Sequence, residues 1–135
     1  SGKVMHTFSS DPAVQGAGLP VGGFGGPHGL VHPQVPLVAN MGYLVGGNVY
    51  HPGDSFISPD GLGGQALLVP IHAPWSKVSE VVDFVIAVRA PRAFQIHDGL
   101  LNETGLKVAE SHVARLGRKY GTEYTRLSPR ESVEV

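Results

Sequence analysis

Three stretches of the sequence predict an α/β fold. Residues 66–71, "ALLVPI", form a nearly continuous apolar run of the length of a buried strand. Residues 75–89, "WSKVSEVVDFVIAVR", then change period, with Val78, Val81, Val82, Val85 and Ile86 on one helical stripe. Strand character returns at residues 93–97, "AFQIH". A strand, an amphipathic helix and a strand in that order predict a right-handed βαβ unit with two parallel strands.

The chain before this unit is rich in glycine and proline. Over "SSDPAVQGAGLPVGGFGGPHGLVHPQVP" these residues exclude a long helix, while Leu19, Val21 and Phe24 alternate as in a short strand. Residues 1–15 read as an N-terminal extension or a first strand, and residues 16–135 as the domain itself. In "VANMGYLVGGNVYHPGD" the apolar segments 41–45 and 48–50 flank Gly46 and Gly47, which can adopt the positive φ of a tight hairpin turn. Such a hairpin delivers His51 and Asp54 to one edge. Within the strand at 66–71, Pro70 is tolerated only near the end or at a bulge. The helix at 75–89 takes Ser76 as its N-cap, and its β-branched residues make it depend on tertiary burial. A second helix is expected from about 103 to 120, capped by Asn102, with Leu106, Ala109, Val113, Leu116 and Tyr120 facing inward. "EYTRL" adds a last short strand. The sum is a layered α/β sandwich with its polar chemistry at strand ends.

The composition limits what surrounds that chemistry. A chain of 135 residues and 14.2 kDa fits one domain. With 41% hydrophobic and 16% charged residues and a formal net charge of −1, there is no electrostatic case for nucleic acid or a membrane surface. Arg115, Arg118 and Lys119 are explained by the C-terminal end of a helix dipole. No cysteine is present, which excludes disulfides, a thiolate nucleophile and any cysteine-containing zinc site. A transition metal would have to be held by histidine and carboxylate. "GGFGGPHG" lacks the lysine and hydroxyl of a phosphate-binding loop. No apolar run reaches membrane-spanning length and no signal-peptide pattern opens the chain, so the expected compartment is the cytoplasm.

His28, Asp54 and His97 each follow a strand or a glycine-rich turn, and residues so placed can converge. Imidazole nitrogen and carboxylate oxygen suit zinc, and also iron or manganese where enough of them meet. A divalent metal held there would acidify water or polarise a carbonyl. Each residue also has a plainer reading. Asp54 can accept N–H groups of its own turn, His28 can close the glycine-rich turn, and His97 can join a strand end to Asp98. His51 and His72 are further candidates, unless His51 turns away from Asp54 and His72 holds the loop leading to Pro74.

Longer phrases carry a resemblance. "GGPHGLVHP", "VANMGYLVGGNVYHPGDSF", "LLVPIHAPWSKVSEVVDFVIAVRAPRAFQIHDGLL" and "GTEYTRLSP" together resemble the C-terminal half of metallo-beta-lactamase-fold hydrolases, especially the bacterial branch similar to ascorbate-phosphate lactonase. The resemblance spans residues 16 to 129. It implies that His28 is a ligand of a first metal, Asp54 a carboxylate bridging two metals, and His97 a ligand of the second. His51 and Asp98 would support these from behind, Asp98 by orienting His97. The activity implied is attack of metal-activated water on an ester, lactone or phosphodiester, with zinc, manganese or iron as the metal. One hallmark is missing, the His-x-His-x-Asp-His segment that supplies most of the family's ligands. The resemblance also implies only half of an αββα sandwich, with helices on one face of a sheet whose other face awaits a partner. That partner would be a second copy in a homodimer or a complementary N-terminal half-domain. The expected function is a truncated or partial hydrolase. The alternatives are a noncatalytic assembly or binding protein that keeps the half-fold, and a fragment of a larger enzyme.

Overall fold

The computed structural model describes residues 4–7 and 18–135. Among them the elements run β1 (Val4–Thr7), β2 (Val21–Pro27), β3 (Ala39–Val45), β4 (Val49–His51), β5 (Ala66–Pro70), α1 (Val78–Val88), β6 (Arg92–Ile96), α2 (Glu103–Lys119) and β7 (Glu123–Tyr124). The chain is mixed α/β, as its sequence predicts. The expected boundary between residues 15 and 16 lies outside the described residues.

All seven strands join one sheet, and their order in space is their order in the chain. β1 to β4 are antiparallel neighbours, whereas β4 to β7 are parallel. The change of sense follows from the connections. Gly46 and Gly47, at φ 60° and 67°, turn β3 tightly into β4 and pair Val45 with Val49. A parallel pair needs a long crossover. Residues 52–65 supply one between β4 and β5 without a helix, and α1 and α2 supply the next two.

The expected hairpin and βαβ unit are therefore present, with Pro70 closing β5 opposite Ile96. Two local expectations are corrected. Ser76 does not cap α1. Its hydroxyl instead serves the backbone of Ala73, accepting from the N–H at 3.1 Å and donating to the carbonyl at 3.2 Å. The helix begins one residue later than such a cap would set it, with Lys77 at the N-cap and the Glu80 carboxylate reaching back to accept the Lys77 N–H at 3.0 Å. Asn102 does cap α2, accepting the Gly105 N–H at 2.8 Å. Tyr120, expected to face inward, is the residue that ends α2 and is exposed. The turn it would have continued breaks there, as Gly121 takes φ 94°.

The core forms where β5 meets both helices. Leu67 and Val69 on β5 are fully buried, against Val81, Phe84 and Val85 of α1 and Leu106, Ala109 and Val113 of α2. α1 packs on α2 and on β5, and α2 packs on β7, which sets both helices on the same side of the sheet. Past β7 the chain is held by side chains. The Gln95 amide donates to the Leu127 carbonyl at 2.7 Å and accepts its N–H at 3.0 Å, imitating one more rung of the ladder. Arg126 is bound by Glu103 and Glu110 of α2, and Tyr124 donates to Glu110 at 3.2 Å. No helix among the described residues is long and apolar enough to cross a membrane.

Candidate metal centre

Strand direction explains why distant residues meet. β2, β4, β5 and β6 all run the same way, so their C-terminal ends share one edge of the sheet. His28 follows β2, Asp54 follows β4 and His97 follows β6. All three converge. His97 Nε2 lies 2.9 Å from Asp54 Oδ1, and His28 Nε2 lies 3.7 Å from Asp54 Oδ2. Each oxygen of one carboxylate faces its own imidazole.

The backbone around Asp54 is fixed by a residue that the sequence reading passed over. Asn40, on β3, donates through Nδ2 to the Pro52 carbonyl at 2.8 Å and to Ser55 Oγ at 3.2 Å, and its Oδ1 accepts the Asp54 N–H at 2.9 Å. Gly53 is required beneath it: at φ 70°, a Cβ here would come within 2.4 Å of Asn40 Oδ1. His51 stays exposed on this loop, its Nδ1 accepting the Gly53 N–H at 3.0 Å. That bond shapes the turn and leaves Asp54 alone to face the imidazoles. From below, the buried Tyr50 hydroxyl donates to the Ile57 carbonyl at 2.7 Å. Burial pushes its pKa up to about 12.

His28 is held at its other nitrogen. Its Nδ1 is 2.7 Å from the Gly29 carbonyl, a contact that requires Nδ1 to carry the proton. In the neutral ring Nε2 then presents a lone pair toward an acceptor, Asp54 Oδ2. At 3.7 Å the two atoms are beyond hydrogen-bonding distance, and both side chains are partly exposed. The loop is tied to Asp54 as well, since the Gly29 N–H donates to the Asp54 carbonyl at 2.7 Å.

His97 sits in the left-handed region, at φ 62°. For a residue with a Cβ this costs about 1–3 kcal/mol, and it persists where surrounding contacts dictate it. Asp98 makes no side-chain hydrogen bond to His97; its carbonyl accepts the Leu101 N–H at 3.0 Å, forming the turn into α2. Trp75, from the loop after β5, packs against both imidazoles. Its ring meets His28 at 5.9 Å and His97 at 6.3 Å, both edge to face. On the far side of Gly29 and Trp75 a cavity of about 510 Å³ opens, lined also by Leu30, Val31, Phe56 and Lys77. His72 stays on the loop before Trp75, outside the cluster.

Two donors about 2.0–2.1 Å from a tetrahedral zinc lie roughly 3.3 Å apart; here one pair is closer, in direct hydrogen-bond contact at 2.9 Å, and the other wider at 3.7 Å. The donors are also too few to enclose an ion: no group of three or more histidine, cysteine or acidic side chains among the described residues is arranged to hold a metal by itself. The arrangement is one carboxylate shared by two single imidazoles.

Asn40 and Trp75 did leave faint signals in the sequence. Asparagine is disfavoured within a strand such as "VANMGYL", and the chain's one tryptophan directly follows an apolar strand.

No protein-family model matches the chain. A Mycobacterium tuberculosis protein named Protein Rv0786c is 40% identical over 104 residues, covering 73% of this chain and 47% of the relative. The chain thus spans about half the length of the curated relative it matches, and what it is similar to there carries no stated activity.

Proposed function

We propose that this chain is the C-terminal half of a metallo-beta-lactamase-fold hydrolase, and that His28, Asp54 and His97 are its share of a two-metal centre. The reading rests on one observation above all: the two oxygens of Asp54 face two different imidazole nitrogens, at 2.9 and 3.7 Å. Asp54 bridges the two positions, His28 serves one through Nε2, and His97 serves the other. The Gly29 carbonyl fixes the His28 tautomer, and Asn40 fixes the carboxylate. Zinc suits this donor set, and manganese or iron are further occupants. When bound, such ions supply Lewis acidity, generating a nucleophile from water at neutral pH and polarising the oxygen of an ester, lactone or phosphodiester.

The remaining ligands must come from elsewhere. A partner is supported by the relative's greater length and by the exposed apolar run Leu30, Val31, Val35, Leu37 and Val38 beside the cluster. A complementary N-terminal half accounts for both; a second copy accounts only for the apolar run. Calorimetric titration with zinc tests the site. The chain alone is expected to bind zinc weakly, to lose that binding with Asp54→Ala or His97→Ala, and to hydrolyse esters, lactones or phosphodiesters only when joined by the missing half. Identical zinc isotherms for the parent and Asp54→Ala would overturn the reading and favour a noncatalytic binding module.

A further inference from the structure

We propose that Trp75 is the positioning residue of the cluster, the single rigid wall against which both imidazoles are set; the inference rests on the metal-site reading above. The problem it answers is one of distance across a sheet. His28 and His97 follow β2 and β6, and three strands stand between these two. No shared ladder of hydrogen bonds fixes one relative to the other. Asp54 touches both, but a carboxylate rotates and its side chain is 43% exposed. Trp75 touches both as well, and it is 8% exposed.

The indole is immobilised from behind. Its ring packs on Phe56 at 4.9 Å, and Phe56 packs in turn on Phe84 of α1 at 5.2 Å. Phe84 is buried, so an aromatic column runs from the core to the cluster. The backbone is fixed too, through the Ser76 hydroxyl bonded to both polar groups of Ala73. Gly29 completes the seat. A Cβ there would lie 2.3 Å from the indole carbons Cδ2 and Cε3, so the ring reaches His28 only because residue 29 has no side chain. The ring therefore sets the separation of the two nitrogens that flank Asp54, as groups behind metal ligands do when they orient them.

The test compares Trp75→Leu, Trp75→Phe and Gly29→Ala with the parent, using cobalt(II) as the probe. Val85→Ala, in the core away from the cluster, matches the loss of thermal stability without touching the wall. Trp75→Leu and Gly29→Ala are expected to weaken cobalt binding about 10- to 100-fold and to alter its visible absorption spectrum. Trp75→Phe is expected to recover most of the affinity, and Val85→Ala to keep the parent spectrum. Crystal structures of the metal-free variants supply a second readout, in which both imidazoles leave their places beside Asp54 in Trp75→Leu. Imidazoles unmoved in Trp75→Leu, or cobalt affinity within twofold of the parent, would overturn the proposal. If the parent binds no cobalt, the metal reading fails, and the metal-free structures still decide the role of Trp75.

Discussion

His97 holds a backbone conformation that a glycine would adopt at lower cost, and Gly53 one that a side chain cannot enter without striking Asn40. Residues like these show where the chain gives up local comfort for placement. Asn40 is the sharpest case, because three hydrogen bonds from one amide hold the loop that carries Asp54. Asn40→Ala is expected to cost about 1–3 kcal/mol in chemical denaturation. It should also weaken zinc binding roughly 10- to 100-fold by calorimetry, although it removes no ligand. Tyr50 supplies a pH test. Its folded pKa of about 12 lies above the ordinary value of 10.0. Between these values the unfolded chain has lost a proton that the folded chain keeps, so this stability is whole below pH 10 and is lost as the pH rises toward 12. The urea midpoint of the parent should fall between about pH 9 and pH 11.5, and that of Tyr50→Phe should fall less. Part of the slope survives in the variant, because burial and then Glu110 also raise the pKa of Tyr124. His28, Asp54 and His97 were legible as a cluster because each follows a strand whose end lies on one edge of the sheet. Asn40 and Trp75 left only faint signals, because their roles depend on partners that the fold brings to them from other parts of the chain.

Elements were read best where one periodicity ruled. The stripe Val78, Val81, Val82, Val85 predicted α1, and Asn102 with Leu106, Ala109 and Val113 predicted α2 nearly to the residue. Reading failed where a side chain had a nearer partner. Ser76 has the chemistry of a cap, but its hydroxyl closes a tight turn on Ala73 and leaves the capping to Glu80. Tyr120 fits the inward stripe by spacing alone, and the stripe ends when Gly121 turns the chain. The joint between β5 and the helices carries most of the burial. Leu67→Ala, at a position with no exposure, is therefore expected to cost about 2–5 kcal/mol, measured as a lower midpoint in guanidinium.

At the scale of the whole molecule, the apolar run from Leu30 to Val38 borders the cluster, since the Val38 carbonyl accepts the His28 N–H at 2.9 Å and the Asp54 carbonyl the Gly29 N–H at 2.7 Å. Leu37 is 56% exposed and makes a probe for this contact. Leu37→Glu is expected to leave thermal unfolding unchanged while preventing association with the proposed N-terminal half-domain, or with a second copy, in sedimentation velocity. Equal association by parent and variant would place the contact elsewhere. The sequence expectation of a partner came from the apolar run at 66–71 and the half-fold that the resemblance implies; the run from Leu30 to Val38 gave no such signal, because its exposure is set by the fold. Strand order equal to chain order has one more result, which concerns synthesis. No strand waits for a partner from farther along the chain, so a nascent sheet can grow one edge at a time from β1. His97 follows β6 and emerges after His28, Asp54 and Trp75 are already in place. Closure of the contact between His97 and Asp54 would then be the last event at this edge, a chemical signal that the ribbon of strands is nearly complete.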